Sequence, residues 1–408
     1  MTHSIDLDLD YVRSQFPGLD NGWTFFDNAG GTQILSGALE RMNEFLINRN
    51  VQTGGSYAVS QAALQSLNDG RRAMQLFLNA ERAEEIVFAP STTVAMQNLA
   101  RAMTPQLKPG DEIIVTVSDH ESNIGPWVAL ESVGVQIRYW NIDRDSLELD
   151  IEELQRLMTS RTRLVAVTLA SNILGTQNDL ASITKVAHDG AALVCVDAVA
   201  LAPHRAIDVQ ALDVDFLALS LYKVYGPHYA VMYGRHELLL ELDNLYHYFY
   251  GRDKVPAKLE PGNASYELAY ATTGIVDYLV NLGGDASAPR KSIERAFSAI
   301  TAHECYLASR LLEWLDSRSD CRIVGRTDGS DTQRMPTISF KVAGRDSGEI
   351  AGQMDDFNIA IRFGDFHARR LIEYLDIADQ GGVIRVSMVH YNSIEEVDAL
   401  VRALDQIL

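Results

Sequence analysis

Short, uniformly apolar segments alternate with longer helical patterns through the first two thirds of this 408-residue chain. The apolar segments have the length and branched composition of buried strands, and they read EEIVFA, DEIIVTV, VQIRYWNI, RLVAVTLAS, ALVCVDA and VDFLALS. Strands that are apolar throughout and separated by helices predict a mainly parallel sheet covered on both faces. We therefore predict a doubly wound α/β domain whose ligands bind at the carboxyl ends of the strands.

The pattern changes after the segment PGNASYELA. Two helical stretches are followed by shorter strands, TISFKV and VIRVSMV, and by a final helix, which together predict a smaller α+β domain. We expect an amino-terminal arm over residues 1–20, a large α/β domain over 21–260 and a small domain over 261–408.

Composition excludes several classes of function. A net charge of −20 disfavours binding to nucleic acid. No apolar run reaches the ~18–20 residues of a membrane span, and the first residues lack the basic and apolar regions of a signal peptide, so we expect a cytoplasmic protein. The three cysteines form no C-x-x-C pair, and we expect neither a disulfide framework nor a metal site.

Lys223 ends the apolar run VDFLALSLYK and is followed closely by a Gly-Pro turn. A charged amine at this position either reaches solvent along its flexible stem or remains partly desolvated for chemistry. The segment alone leaves both interpretations open. Asp197, which ends the preceding apolar strand, raises the same question for a carboxylate, since burying it is costly without a cation or a proton donor.

Other polar side chains follow the predicted strands in chain order. His120 follows DEIIVTV, Asn172 follows RLVAVTLAS, and Thr92 and Thr93 begin a helix whose free amides suit a phosphate. Each is also explained by an ordinary turn or helix cap. Together with the lysine and the carboxylate they match the needs of pyridoxal phosphate: a Schiff-base amine, a partner for the ring nitrogen, an aromatic face and an anion site.

At this point the chain resembles a known family. The segments that carry the resemblance are FFDNAGGTQ, FAPSTTVAMQNLA, DHESNIGPW, ASNILGTQNDLA, SLYKVYGPH, PGNASYELA and GGVIRVSMVHYNSIEEVDALV. They resemble class V, fold type I pyridoxal-phosphate-dependent enzymes of the aminotransferase/cysteine desulfurase family, and in particular a cysteine desulfurase-like branch. The resemblance covers nearly the whole chain and implies a homodimer with shared active sites and a small-molecule amino-acid substrate.

The resemblance assigns roles by position. It implies that Lys223 forms the Schiff base and shuttles the α-proton, that Asp197 contacts the pyridine nitrogen, and that His120 stacks on the ring. The remaining implied cofactor contacts are Asn172, Thr92, Thr93, Ser220 and, reaching the neighbouring subunit, Gly262 and Asn263. The implied substrate contacts are Ala29, Gly30, Asn172 and Arg385, with Arg362 either a second anion contact or a structural arginine.

Three positions depart from the desulfurase pattern. Desulfurases carry a catalytic cysteine in a loop like R-x-G-H-H-C-A, and the matching segment RFGDFHARRL has His367 at that place. Ala200 replaces a residue that contacts the phenolic oxygen, and Tyr222 stands before the lysine where histidine is common. Without the thiolate, transfer of sulfur as a persulfide is disfavoured.

These departures favour a C–S lyase that acts by β-elimination on an amino acid or cysteine conjugate, with Tyr222 or His367 protonating the departing sulfur. Transamination, epimerisation and decarboxylation-coupled deamination remain open alternatives. A relative that binds the cofactor without catalysis is disfavoured by the intact Lys223, Asp197 and Arg385.

Overall fold

The structure is a computed structural model that describes residues 7–408. Its helices are α1 Leu9–Ser14, α2 Ser36–Asn48, α3 Ala58–Leu78, α4 Thr92–Met103, α5 Gly125–Val128, α6 Ile151–Leu157, α7 Leu180–Asp189, α8 His236–Glu241, α9 Tyr266–Gly283, α10 Pro289–Asp316, α11 Ser347–Gln353, α12 Arg369–Tyr374 and α13 Ile394–Ile407. Within the described residues, no helix combines the length and the apolar character needed to cross a bilayer.

The strands form one large sheet and two smaller ones. They are β1 Thr24–Phe25, β2 Ile86–Ala89, β3 Glu112–Thr116, β4 Gln136–Trp140, β5 Thr162–Thr168, β6 Leu193–Asp197, β7 Phe216–Ser220, β8 Ala230–Gly234, β9 Cys321–Val324, β10 Thr337–Val342, β11 Ile359–Ala360, β12 Arg362–Gly364 and β13 Val383–Ser387.

The large sheet has seven strands in the order β2-β8-β7-β6-β5-β3-β4. All six strands predicted from the apolar segments are present, and β3 to β7 pair in parallel, which confirms the α/β fold. Strand β8 was not predicted; it is antiparallel to both β7 and β2. The chain reverses at the Gly-Pro turn just after Lys223, so β8 returns directly beside β7.

One of the helical patterns that alternate with the apolar segments does not form a continuous helix. The segment NIGPWVALESV forms the single turn of α5 between two 3-10 turns, Glu121–Asn123 and Ala129–Val133. Pro126 supplies no backbone N–H, and Gly134 ends the segment with a left-handed φ of 91°. The resulting irregular wall lies beside the carboxyl ends of the strands.

The carboxyl-terminal part contains a four-stranded antiparallel sheet in the order β12-β13-β10-β9. Strand β1 pairs in parallel with β11, and the neighbouring Phe26 packs in the same core as Ile338 and Ile384. Helix α9 instead packs against α2 and α3, and α10 contributes to both cores. Packing thus crosses both predicted domain boundaries, which stay predictions, and residues 1–6 of the predicted arm lie outside the described residues.

A buried ion pair joins three elements near the edge of the large sheet. Arg71 on α3 donates two hydrogen bonds to Glu260, with Nη1–Oε1 and Nη2–Oε2 distances of 2.9 and 2.6 Å. Glu260 also accepts from the backbone N–H of Phe88 in β2 at 2.7 Å. The pair therefore anchors the loop that leads to Gly262 and Asn263.

Replacing Glu260 by glutamine should destabilise the protein strongly, because it leaves the Arg71 charge buried without a counter-ion, at a cost of about 3–5 kcal/mol. The control is Asp69→Asn, which removes an exposed pair with Arg72 and should cost less than about 1 kcal/mol. Urea unfolding curves of both variants check this. Equal shifts in the midpoints would contradict the structural role of the buried pair.

Candidate active site

One cavity lies at the carboxyl ends of the parallel strands, where polar side chains from successive strands meet. The predicted residues that line it are Thr92, Thr93, His120, Asn172, Asp197, Ser220, Tyr222 and Lys223. Ala200 lines it as well. Positions up to about 130 residues apart in the chain are therefore brought into a single site by the parallel topology.

Lys223 occupies a 3-10 turn, Leu221–Lys223, immediately after β7, and its side chain is buried with a residue exposure of 8%. The amine does not reach solvent, which decides between the two interpretations of the sequence. Burial and, to a smaller extent, the positive charge of Arg385 lower the pKa of Lys223 to about 8, and Asp197 opposes both effects. Part of the Lys223 population is therefore in the neutral amine form near physiological pH.

Asp197 ends β6 and is also buried. One carboxylate oxygen accepts the backbone N–H of Val199 at 2.9 Å, and the other lies 3.4 Å from the donating hydroxyl of Ser122. Burial raises the pKa of Asp197, against the opposing effects of Val199, Lys223 and Ser122. A buried carboxylate of raised proton affinity is a suitable partner for a protonated ring nitrogen.

His120 caps the 3-10 turn after β3, and its Nδ1 accepts the backbone N–H of Ser122 at 3.0 Å. That bond places the proton of the neutral ring on Nε2. Burial and, to a smaller extent, the positive charges of Lys223 and Arg385 lower the pKa of His120 to about 3. The imidazole is therefore uncharged at neutral pH and can offer a flat face to a bound ring.

The amino terminus of α4 forms an anion site. Its first amides, at Thr92 and Thr93, have no acceptor further back in the helix and point toward the cavity end of the helix. The buried hydroxyls of Thr92 and Ser220 lie 2.7 Å apart, which adds donors from β7 to those of the helix. Ser91 caps the helix by accepting from the N–H of Val94 at 3.2 Å.

Arg385, on β13, closes the site from the smaller sheet. Its Nη2 donates to Asp27 at 3.1 Å and its Nη1 to the backbone oxygen of Asn172 at 3.2 Å. The guanidinium carbon lies 3.7 Å from the centre of the Phe366 ring. Among residues 7–408, the buried Nε has no acceptor, so one donor remains for a ligand. Burial lowers the pKa of Arg385 to about 10, which still leaves it charged at neutral pH.

Arg362 approaches the same carboxylate from the other side. Its Nη1 lies 3.3 Å from Asp27 Oδ2, and its side chain is half exposed. Asp27 therefore bridges two guanidinium groups. Gly30 lies beside this bridge, where an added Cβ would come within 3.0 Å of Asp27 and Arg362, and Ala29 is tied to Ser387 through its N–H. The predicted substrate contacts are thus close together.

His367 and Tyr222 form the outer wall. The His367 ring centre lies 5.2 Å from that of His120, and its backbone has a left-handed φ of 59° after Phe366 at 50°. The Tyr222 ring lies 5.8 Å from Lys223 Nζ and packs edge-on against His228. Asn172 does not point its amide freely into the cavity, because it donates to the backbone oxygen of Phe366 at 3.0 Å.

Gly262 and Asn263 do not line this cavity. They form an exposed turn with left-handed φ values of 85° and 70°. The sequence-based role for them, contact with a neighbouring subunit, stays a prediction.

Sequence reasoning missed three residues that shape the site: Ser122, Asp27 and Asp119. Asp119 is fully buried, accepts from Asn123 Nδ2 at 2.6 Å and from the Thr168 N–H at 3.0 Å, and burial raises its pKa to about 7. The available signals were weak: Asp27 directly follows an apolar pair, and Asp119 and Ser122 flank His120.

The donor set fits pyridoxal phosphate. A buried amine, a buried carboxylate and a neutral imidazole line one cavity with a helix amino terminus, and Arg385 keeps one unsatisfied buried donor beside it. Lys223 would hold the cofactor, Asp197 would hold its ring nitrogen, and Thr92, Thr93 and Ser220 would hold its phosphate.

Comparison with known proteins agrees with this assignment. The aminotransferase class-V family model matches residues 24–400. The chain is 40% identical over 413 residues to the aminotransferase-like protein FGM3 of Gibberella zeae, with 99% of this chain and 100% of that protein covered. It is 32% identical over 413 residues to the cysteine desulfurase-like protein ustD of Aspergillus flavus, with 98% of this chain and 91% of that protein covered. The solved structure of the cysteine desulfurase CsdA from Escherichia coli superposes with a TM-score of 0.85 at 27% identity and covers 98% of both chains.

The geometry and the family match lead to the same conclusion. The chain belongs to the class-V aminotransferase family, in its cysteine desulfurase-like part, and is a pyridoxal-phosphate-dependent enzyme.

Proposed function

We propose that this enzyme is a C–S lyase that releases a thiol from Cβ of an amino acid or cysteine conjugate. The observation that carries the proposal is the wall of the site, where His367 stands at the position of the desulfurase cysteine. All three cysteines are among the described residues, and none of them lines the cavity. An elimination needs no protein thiol, and with water it converts the conjugate to a thiol, ammonia and a keto acid without any oxidant.

The bound cofactor supplies an electron sink for the bond cleaved at Cα. Lys223 is the residue placed to take the proton released from Cα. Its pKa of about 8 lies near working pH, where general bases are most effective. Asp197 holds the proton on the ring nitrogen, and Ser122 fixes both Asp197 and His120.

Arg385 binds the substrate α-carboxylate. Asp27 already neutralises part of its charge, so the cluster of Arg385, Arg362 and Asp27 carries a net charge of about +1, which balances one carboxylate. Phe366 covers the guanidinium and excludes water from its face.

Tyr222 donates a proton or hydrogen bond to the departing sulfur. Burial raises the pKa of its phenol, which keeps the hydroxyl protonated at neutral pH. The side chain lines both the cofactor cavity and the outer groove, so it faces the side from which a leaving group departs.

We also propose a homodimer in which the exposed Gly262–Asn263 turn reaches the neighbouring subunit's site. The turn lies outside its own cavity and is anchored by the buried Arg71–Glu260 pair.

The lyase proposal predicts that the holoenzyme converts S-alkylcysteines to thiol and keto acid in equal amounts. Lys223→Ala should abolish this turnover and the covalent attachment of the cofactor, seen as its visible absorbance after gel filtration. Persulfide on the protein would contradict the proposal. Accumulation of the amine form of the cofactor without thiol release would support transamination instead.

Replacing Tyr222 by phenylalanine should lower kcat for S-alkylcysteines by about 10²-fold, because the sulfur leaves without a donor. With β-chloroalanine the variant should keep its rate, because chloride needs no proton. The matched control is Tyr306→Phe on the exposed side of α10. Equal losses with both substrates would show that Tyr222 acts by packing alone.

In the cofactor-free protein, the Lys223 amine should become reactive toward acetic anhydride with a midpoint near pH 8, since its pKa is lowered to about 8 and only the neutral amine attacks. Labelling across a pH series, read by peptide mass spectrometry, checks this, with the exposed Lys185 of α7 as the reference. A midpoint near the ordinary lysine value of ~10.4 would contradict the burial of the amine.

A further inference from the structure

A long groove continues outward from the active site. It shares His120, Ser122, Thr93 and Tyr222 with the cofactor cavity, and it encloses a volume of about 730 Å³. Because these four residues line both spaces, the groove adjoins the cofactor cavity on the side of Tyr222 and His120.

Helix α4 forms one wall of the groove. The residues that line it are Thr93, Gln97, Ala100 and Arg101 of α4 and Thr104 directly after the helix. Their spacing of three, four and seven residues corresponds to one face of a helix. At ~1.5 Å per residue this face runs for about 16 Å, with Thr93 at the active-site end.

The opposite wall is the irregular segment in which the predicted helix is broken. Pro126, Ala129 and Leu130 line it, and Ala129 is exposed. A continuous helix over this segment would present a regular ridge to α4. The break therefore contributes to the open space between the two walls.

The far part of the groove carries a cation. The Arg101 guanidinium stacks on Tyr246 at 4.4 Å and donates to its hydroxyl at 2.7 Å. Within residues 7–408 it forms no ion pair with a carboxylate. In a protein of net charge −20, this is a local site where an anionic group is favoured.

We propose that the groove binds the part of the substrate beyond Cβ, and that the preferred substrate is an amino-acid conjugate with an extended substituent ending in a carboxylate that pairs with Arg101. Arg101 lies about 12 Å along α4 from Thr93, which lines both the cavity and the groove, and this distance gives the scale of the substituent. The inference rests on the proposed function for the identity of the scissile C–S bond. Its test measures binding rather than turnover, so a failure of the groove assignment can be distinguished from a failure of the lyase proposal.

The probes are amino acids in which a methylene replaces the sulfur, so they bind without being cleaved. The long acid has a side chain of about 12 Å that ends in a carboxylate. The long amide differs only in a terminal carboxamide, and norvaline is the short probe. Calorimetric titration of the holoenzyme should show that both long probes bind more tightly than norvaline, and that the acid binds about fivefold more tightly than the amide.

Arg101→Gln should reduce the acid-to-amide affinity ratio to about one, whereas Arg72→Gln, at an exposed position of α3, should leave the ratio as in the wild type. Ala129→Trp should fill the groove and thereby reduce the ratio of the affinities of the long probes to the affinity of norvaline. Absence of a length preference in the wild type, or a ratio that survives Arg101→Gln, would overturn the proposal.

Two further outcomes are informative. If Ala129→Trp changes the oligomeric state while the length preference persists, the groove is an interface between copies of the chain and the proposal is overturned. If the long acid binds as expected but S-alkylcysteines release no thiol, the groove assignment is supported and the lyase proposal alone fails.

Discussion

The burial of one amine beside one carboxylate is the constraint on which the rest of this structure depends. Asp197 ends β6, and Lys223 lies in the turn directly after the adjacent parallel strand β7. Both are shielded from water, at positions where burying either charge alone would be costly. Burial, together with the positive charge of Arg385, lowers the pKa of Lys223 to about 8, and the carboxylate limits that decrease. Helix α4, the His120 turn and strand β13 are placed around this pair, so the site has its chemistry only when the whole sheet is assembled.

The site also depends on contact between the two sheets. Arg385 comes from the smaller sheet, Asn172 from the larger one, and Asp27 from the amino-terminal segment that pairs with β11. Asp27 links two arginines that would otherwise repel each other, and it leaves the cluster with charge for one substrate carboxylate. This arrangement requires the amino-terminal segment to lie against the carboxyl-terminal part, where β1 pairs with β11 and Phe26 joins the core.

In the proposed function, different parts of the site serve the cofactor and the leaving group. The residues at the strand ends serve a cofactor that the whole family uses, whereas Tyr222 and His367 belong to the outer wall, where a leaving group and an extended substituent would pass. Loops and irregular segments can change without disturbing the buried pair, because few backbone hydrogen bonds of the sheet depend on them. The broken helix over Gly125–Val133 is such a segment, and it opens the groove that continues from the reacting centre.

The local sequence determined the six predicted strands, the helix start at Thr92 and the candidate roles of Lys223 and Asp197, because apolar runs and polar strand ends are patterns of neighbouring residues. It did not determine which strands β8 pairs with, or the function of Asp27 and Ser122. Those features depend on contacts that only the folded chain makes, such as the Arg385–Asp27 pair, whose members are 358 residues apart. Sequence by itself indicated which groups the protein carries; tertiary structure decided which of them share a carboxylate, a proton or a cavity, since these interactions depend on distances of a few ångströms between remote segments.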